Sequence, residues 1–189
     1  RSITCNKVAR AIFGAFAPLL LDKAVMAAGH DSVPAIVFSG ERRGDAGPFV
    51  YLETVGGGSG ARSDTDGMDA VHVHLTNTST LPAEALVLEY PLLGDEYALV
   101  PDSGGAGTQR GGGGIARQIS AMQDDIIFSI RSDSHVIGAP GVFGGCEGGT
   151  ADLIRNADGL DCESLSSKVS HIELREGDSM RLELSLIHI

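Results

Sequence analysis

The 189-residue chain has little of what several common functions require. Its 14 Lys and Arg residues are outnumbered by 25 Asp and Glu, giving a formal net charge of -11. That charge argues against nucleic acid or an anionic membrane as partner, because both need a basic footprint. No apolar run approaches the roughly 20 residues that span a bilayer, and no charged-then-apolar signal segment opens the chain. These absences favour a cytoplasmic protein.

Cysteine is also scarce. Cys5, Cys146 and Cys162 are odd in number and lack the spacing of a zinc finger. The sequence therefore predicts neither a disulfide framework nor a structural zinc site, and each thiol is interpreted as buried or idle.

Nucleotide-binding motifs are missing as well. The chain has no Gly-Lys dipeptide for a Walker-type phosphate loop and no serine in a G-x-S-x-G elbow. Residues 56–61 match G-x-G-x-x-A, but residues 62–67 predict a turn where that motif needs a helix N-terminus. We therefore do not expect this chain to bind ATP by itself.

Glycine, in contrast, is abundant, with 26 residues. Many of them lie in GGGSGAR at 56–62 and PDSGGAGTQRGGGG at 101–114, on either side of DGMDAVHVHLTNT at 66–78. Because glycine loses more backbone freedom on folding than other residues, such density indicates conformations or close approaches that side chains forbid. The region 51–117 is therefore predicted to contain a functional site.

Apolar periodicity predicts an N-terminal helix. Apolar residues recur every three or four positions, and Pro18 is expected to kink or end the helix. This spacing predicts a helix that packs on the core. The residues of the face are Val8, Ile12, Ala15, Phe16 and Leu19.

The remainder of the chain predicts short, mostly antiparallel strands joined by Gly-rich loops, and hence a β-rich α+β fold. Two further runs flank Gly177 and predict a hairpin with this residue at the turn. The predicted strands are 35–38, 49–55, 71–75, 86–90, 97–100 and 126–130, and those of the hairpin are 171–174 and 180–184.

The predicted strand 71–75 alternates, so that His72 and His74 would share one face. This placement suits metal ligation or general acid and base catalysis, with Asp69 or Asp66 near enough to orient one ring. The alternative is a polar strand face with two solvated or hydrogen-bonded histidines. No metal is assigned.

The PDSGGAG block at 101–107 predicts consecutive backbone N–H groups that hold an anion. Arg110 and Arg117 could add bidentate charge. The alternatives are a compact turn whose arginines pair with acidic residues, and a subunit interface. The residues assigned to substrate or phosphate binding are Ser103, Gly104, Gly105, Gly107 and Arg110, with Gly57 and Gly58 of the first block.

Several ordered blocks resemble the hydantoinase B/oxoprolinase family, which includes 5-oxoprolinases, N-methylhydantoinases and large subunits of acetone and acetophenone carboxylases. The blocks are FVYLETVGGGSGAR, HVHLTNT, LEYPL, PDSGGAG, GVFGG and SKVSHIELREGD. The resemblance implies a component of an ATP-dependent cyclic amide hydrolase that opens a 5-oxoproline or hydantoin ring. ATP would be bound by a hydantoinase A-type partner subunit or a fused domain. The alternatives are a ketone carboxylase subunit and a noncatalytic β scaffold.

The resemblance also suggests roles for the candidate residues. Backbone amides at 104–107 and Arg110 would hold developing negative charge, and His72 or His74 would move a proton. A divalent metal is compatible with the family, but the resemblance places its ligands mainly upstream of this chain. The loop GAPGVFGGCEGG at 138–149 departs from the family pattern, because Ser134 and His135 stand where a basic residue is usual. If that basic group touches substrate or phosphate in the family, either Arg131 supplies the charge from its strand or the function is weakened.

The chain opens on Arg1, and family members are longer, so residues 1–183 are expected to be a C-terminal fragment of the domain that is inactive alone. Residues 184–189, LSLIHI, match the translation of a transposon adapter used in sequencing libraries. They are interpreted as a non-native tail, with a genuine apolar terminal strand as the alternative.

Overall fold

The computed structural model describes residues 2–20, 26–45, 47–146 and 148–184. Two helices and nine strands form a β-rich α+β fold, which confirms the predicted fold class. The helices are α1 (Ser2–Phe16) and α2 (Ala83–Glu89), and the strands are β1 (Ala35–Glu41), β2 (Pro48–Thr54), β3 (Leu92–Leu99), β4 (Ile115–Ala121), β5 (Ile126–Arg131), β6 (Asp152–Arg155), β7 (Glu163–Leu165), β8 (Lys168–Leu174) and β9 (Ser179–Glu183). Within the described ranges, no helix has the length and hydropathy to cross a membrane.

The strands form two antiparallel sheets, ordered β2-β1-β5-β8 and β3-β4-β9-β6-β7. One hydrophobic core joins them. Phe38 of β1 lies opposite Phe128 of β5 in the first sheet, with ring centroids 4.9 Å apart. Ile119 of β4 and Leu182 of β9 belong to the second sheet and to the same buried cluster. The two sheets therefore stabilise each other through shared apolar side chains.

Helix α1 ends at Phe16, and Pro18 follows in a short 3-10 turn at Ala17–Leu19, as predicted. The prediction that its apolar face packs on the core is wrong. Val8, Ile12 and Phe16 are about half exposed, at 53%, 50% and 50%. The polar face contacts the body instead, through Asn6, Lys7 and Arg10.

The prediction of a strand at 71–75 is also wrong. The alternation is present, but none of the nine described strands pairs with this segment. Its backbone bonds to loops and to α1, since Val71 O accepts from Gly58 N–H at 2.9 Å and Leu75 N–H donates to Asn6 Oδ1 at 3.2 Å. His74 has a φ of 58°, a left-handed conformation that interrupts extended backbone.

Residues 86–90 were predicted as a strand but belong mostly to α2. A short apolar run fits either element, and the residues after Pro82 are good helix formers. Only Leu86 of this helix is buried, whereas Val87 and Leu88 are exposed. With a single buried side chain in about two turns, α2 lies on the surface of the body.

The hairpin prediction near the end is half right. Gly177 does occupy a turn, with a φ of 90°. However, β8 pairs with β5 in the first sheet, whereas β9 pairs with β4 and β6 in the second. The turn therefore carries the chain from one sheet to the other, because the core between the sheets requires both apolar runs.

Strand β4 was not predicted, because it does not alternate. Nearly all of it is buried, including Arg117 and Gln118. At the end of the described chain, Leu184 is buried and its N–H donates to Ile115 O at 2.8 Å. The remainder of the predicted tail, 185–189, lies outside the described residues.

Candidate functional site

The glycine-rich segments pack backbone against backbone. Ser59 N–H donates to Met68 O at 2.9 Å, and Gly112 N–H donates to Ser59 O at 3.0 Å, so three loop segments form one layer. A methyl group added at Gly112 would lie 2.1 Å from Met68 O, and one added at Gly60 would lie 2.0 Å from Ala27 O. These distances are far below van der Waals contact. The predicted close approach is therefore real at these positions, and its immediate role is packing.

Two of the predicted site residues hold this layer in place. Ser103 is buried; its Oγ donates to Val100 O at 2.6 Å and accepts from Gly114 N–H at 2.9 Å. Asp69 Oδ1 accepts from Gly113 N–H at 2.6 Å. That backbone hydrogen bond, followed by one from Arg110, lowers the pKa of Asp69. Both side chains therefore fix the course of the glycine-rich loop.

Most of the predicted binding glycines lie inside this packing. Gly104 faces Gly111 O, and Gly105 O accepts from Gly111 N–H at 3.1 Å. Gly57 packs on His30, and Gly58, with a φ of 105°, donates to Val71 O. Gly107 differs, because it lines an open cleft.

The two predicted arginines have different environments. Arg110 Nη1 lies 3.1 Å from Asp69 Oδ1, and its side chain is 47% exposed. Arg117 Nε lies 3.2 Å from Glu53 Oε2, and its guanidinium stacks 5.4 Å from the centroid of the Tyr97 ring. Because Arg117 is buried in this pair, the prediction that it could reach an anion in the loop is wrong.

Three segments singled out from the sequence meet at one cleft of about 410 Å³, here called the loop cleft. One wall is 61–63, the second is 107–109 and the third is 142–145, from the GVFGG block. Arg62 contributes a side chain to this cleft, and no carboxylate among the described residues pairs with it. The topology therefore gathers loops that are far apart in the sequence.

A second cleft of about 450 Å³, here called the helix cleft, adjoins the first. It lies between α1, residues 26–28 and the loop 140–142. Ala27 and Val142 line both clefts. The two clefts are therefore neighbours that meet at these two residues.

His72 and His74 line different clefts, which corrects the prediction that they share a face. His74 borders the helix cleft, where its ring stacks on Phe13 with centroids 5.5 Å apart. His72 borders a separate cleft of about 360 Å³, and its Nε2 lies 2.7 Å from Thr78 Oγ1. The left-handed turn at His74 breaks the alternation that would have aligned them. Burial lowers the pKa of both imidazoles, so both are neutral near pH 7.

Helix α1 contributes residues that the sequence reasoning did not assign to the site. Lys7 Nζ lies 2.7 Å from Asp31 Oδ1, and Arg10 Nη1 lies 3.3 Å from Asp31 Oδ2. Asn6 is 1% exposed and anchors the helix, donating to Thr76 Oγ1 and accepting from Leu75 N–H. A signal was present, since Lys7 and Arg10 are three residues apart and therefore lie on one helical face.

His30 lies beneath the glycine layer and is buried. Its Nε2 is 2.7 Å from Ser32 Oγ. Burial is the main reason that its pKa falls from 6.5 to about 4, and the charge of Asp31 opposes the shift. His30 is therefore a neutral, structural histidine at physiological pH.

Within the described ranges, no three His, Cys, Asp or Glu side chains are arranged to hold a metal ion. Asp31 and Asp69 are already paired with cations. These residues do not fit a metal centre, and no step of the chemistry below is assigned to one.

Comparison with known proteins agrees with the fold and the ordered blocks. The family model described as Hydantoinase B/oxoprolinase matches residues 1–185, so the chain belongs to the hydantoinase B/oxoprolinase family. The resemblance inferred from the sequence is therefore confirmed.

Two relatives show how much of the family's length is present. A protein of Pseudomonas sp. (strain NS671), named as the B component of a D-/L-hydantoinase, is 30% identical over 178 residues. That match covers 94% of this chain and 29% of the relative. 5-oxoprolinase 1 of Arabidopsis thaliana is 37% identical over 100 residues, covering 53% of this chain and 8% of the relative. The chain thus spans less than a third of either relative.

Two solved structures share the fold. A nucleotide-free acetone carboxylase superimposes with a TM-score of 0.61 at 14% identity, covering 90% of this chain and 27% of that one. The ATP-dependent caprolactamase from Pseudomonas jessenii gives a TM-score of 0.64 at 18% identity, covering 92% and 31%. At these identities the likeness establishes the fold alone.

Proposed function

We propose that this chain is part of the B component of an ATP-dependent cyclic amide hydrolase, which opens a 5-oxoproline or hydantoin ring. The observation that carries the proposal is the loop cleft, where 61–63, 107–109 and 142–145 converge beside Arg62. Membership of the hydantoinase B/oxoprolinase family, with relatives named hydantoinase and 5-oxoprolinase, supports this substrate class.

The chemistry requires two components. Amide resonance makes the ring carbonyl a poor electrophile, so water attacks it slowly. An ATP-binding partner, either a hydantoinase A-type subunit or a fused domain, would transfer the γ-phosphoryl group of ATP to the amide oxygen and so make the ring carbon more electrophilic. Water would add to that carbon, the ring C–N bond would break as the nitrogen takes up a proton, and hydrolysis of the resulting acyl phosphate would release phosphate. This component would then hold the activated ring and direct water to it. The absence of a phosphate-binding motif in this chain is consistent with ATP being bound elsewhere.

Negative charge develops on the activated ring, and the loop cleft offers groups that would stabilise it. Gly107 and its neighbours at 108 and 109 line one wall, where their backbone N–H groups would serve as donors, and Arg62 of another wall would supply a cation. Preorganised donors of this kind usually provide the largest share of catalysis. Asp69, Ser103 and Arg110 would act indirectly in this scheme, by holding the glycine-rich loop in place.

A proton must also be moved, and His74 is the stronger of the two histidine candidates. It borders the helix cleft, which shares Ala27 and Val142 with the loop cleft, and it is neutral near pH 7. His72 borders the separate cleft with Thr78. Only one of the two can therefore serve a ring held in the loop cleft.

The test compares His74→Ala and His72→Ala in the assembled enzyme, with ring opening measured as product release. We expect His74→Ala to reduce kcat by about 10²–10⁴-fold, the range for loss of a general acid or base. His171→Ala is the matched control, since His171 is exposed and has a similar φ of 60°. Unchanged turnover in both test variants rules out the proton-transfer role.

A second candidate function is ATP-dependent ketone carboxylation, in which carbon dioxide derived from bicarbonate replaces water. The observation that supports carboxylation is the fold shared with an acetone carboxylase. Assays of the assembled enzyme with a lactam, and separately with a ketone plus bicarbonate, distinguish the two reactions. If neither Arg62→Gln nor His74→Ala alters either reaction, the chain is instead a noncatalytic β scaffold.

A further inference from the structure

The helix cleft has more positive charge than the described residues around it neutralise. Lys7 and Arg10 both donate hydrogen bonds to Asp31. Among the described residues, Asp31 is the acceptor for both cations. Two cations therefore share one carboxylate. The described residues that line the cleft include no Asp or Glu. The chain as a whole has a net charge of -11, so a cleft lined by cations differs in sign from the protein around it.

The geometry leaves donors available on the cleft side. Arg10 uses only Nη1 on Asp31, so the described residues leave its Nη2 and Nε groups without an acceptor. Lys7 has three N–H donors, and the described acceptors engage one. The side chains of Lys7 and Arg10 are 41% and 29% exposed, whereas that of Asp31 is 2% exposed. The carboxylate is thus behind the cations, and the cations face the cleft.

An unsatisfied imidazole completes the arrangement. Nε2 of His74 is buried and has no hydrogen-bond partner among the described residues. A buried polar atom without a partner is destabilising, so a ligand that reaches Nε2 would gain a hydrogen bond there. His74 also has a φ of 58°, a conformation that few non-glycine residues adopt. The left-handed turn brings the ring onto Phe13 at the mouth of the cleft.

We infer that the helix cleft is a binding site for a small oxyanion, held by Lys7, Arg10 and the Nε2–H of His74. Guanidinium and ammonium groups bind carboxylate and phosphate through charge-assisted hydrogen bonds. Asp31 orients both cations, and Phe13 provides an apolar wall against which the remainder of the ligand would lie. The site takes the oxyanion group of a small molecule, either a carboxylate or a phosphoryl group.

The experiment titrates the chain with sodium acetate and, separately, with inorganic phosphate at constant ionic strength, following backbone amides by NMR. We expect saturable shifts at Gly14, Ala28 and Gly141, which line the cleft. The expected dissociation constant is on the order of 1–10 mM, as befits a small ligand with few contacts. Saturation by acetate alone identifies a carboxylate site, and saturation by phosphate alone identifies a phosphoryl site. Saturation by both supports the shared oxyanion chemistry.

Three variants test the assignment. Lys7→Gln and Arg10→Gln are made singly, so that Asp31 keeps one cation in each. Each should weaken the binding about tenfold, the loss expected for one charged hydrogen bond. His74→Phe retains an aromatic ring against Phe13 and should weaken binding about fivefold through the lost Nε2–H donor. The matched control is Lys168→Gln, which removes a cation paired with Asp133 outside the cleft.

Two results overturn the inference. One is the absence of saturable shifts with both anions up to about 50 mM, well above the expected dissociation constant. The other is an equal dissociation constant for all four variants, so that Lys7→Gln, Arg10→Gln and His74→Phe weaken binding no more than the control Lys168→Gln does. The titration measures binding without turnover. Its failure would leave the ring-opening proposal standing, and failure of the activity test would leave oxyanion binding standing.

Discussion

Arg117 of β4 donates from Nε to Oε2 of Glu53 on β2, over 3.2 Å, and both residues are buried. The two strands belong to different sheets, so this ion pair crosses the core. Tyr51 OH donates to the same oxygen at 2.8 Å, and burial together with the charge of Glu53 raises the pKa of Tyr51. The pair therefore fixes how the two sheets meet, although the desolvation of its charges offsets much of their attraction.

Removing one partner of this pair should be costly. We predict that Arg117→Met lowers the free energy of unfolding by about 3–5 kcal/mol, because it leaves Glu53 charged and buried without a cation. The double variant Arg117→Met with Glu53→Leu should recover most of that loss. Urea denaturation of both variants measures the difference. Equal losses in the single and double variants would contradict the prediction, because they would show that the buried charge is not the cause.

The glycine layer makes a second, steric prediction. Gly60→Ala and Gly112→Ala place a methyl group 2.0 and 2.1 Å from carbonyl oxygens of Ala27 and Met68. Each should lower the free energy of unfolding by about 3 kcal/mol, at the upper end for overpacking. Gly14→Ala is the matched control, because Gly14 is in α1 with nothing near its Cβ position. That control should stabilise the chain by up to about 1 kcal/mol. Destabilisation by all three would argue against a steric cause.

The sequence was sufficient to predict the fold class and the strands whose apolar residues are bounded by Gly, Pro or Asp. Strands β1, β2 and β5 fall where short apolar runs were found. Strand β4 escaped notice because Arg117 and Gln118 are buried by pairing with distant residues, Glu53 and Asp158. The pattern of apolar and polar residues within a strand does not show which distant residues will pair with its polar side chains. Burial of polar side chains therefore depends on tertiary structure.

The candidate site was predictable as a region, although most of its geometry was not. Glycine density indicated close backbone approaches, and these occur. The alternation that placed His72 and His74 on one face failed, because Asn6 of α1 binds the backbone at Leu75 and a left-handed turn precedes it. The periodicity of a short segment cannot predict a contact between residues about 70 positions apart in the chain. The roles of Lys7 and Arg10 depend on the same contact.

The orientation of α1 provides a third prediction. Asn6 is buried and bonds to Thr76 and Leu75, whereas Val8, on the apolar face of the same helix, is 53% exposed. Asn6→Ala should lower the free energy of unfolding by about 1–3 kcal/mol, since it leaves the Leu75 N–H without an acceptor. Val8→Ser should change it by less than about 0.5 kcal/mol, as for other surface positions. Thermal unfolding of the two variants measures both effects. The reverse ranking would show that α1 packs through its apolar face.

The last prediction concerns pH and rests on His30. Its pKa is about 4 in the folded chain and 6.5 in the unfolded chain, so between these values the unfolded state binds more protons. Stability from neutral His30 is therefore fully present above pH 6.5 and is lost progressively as the pH falls to about 4. The loss should be about 3 kcal/mol, at 1.36 kcal/mol for each unit of pKa difference.

Urea denaturation from pH 7.5 to 4 measures this slope, and His30→Gln should flatten most of it. His72, His74 and His135 also have lowered pKa values, so a shallower slope in the same direction should remain. A slope that His30→Gln leaves unchanged would show that the proton is taken up elsewhere.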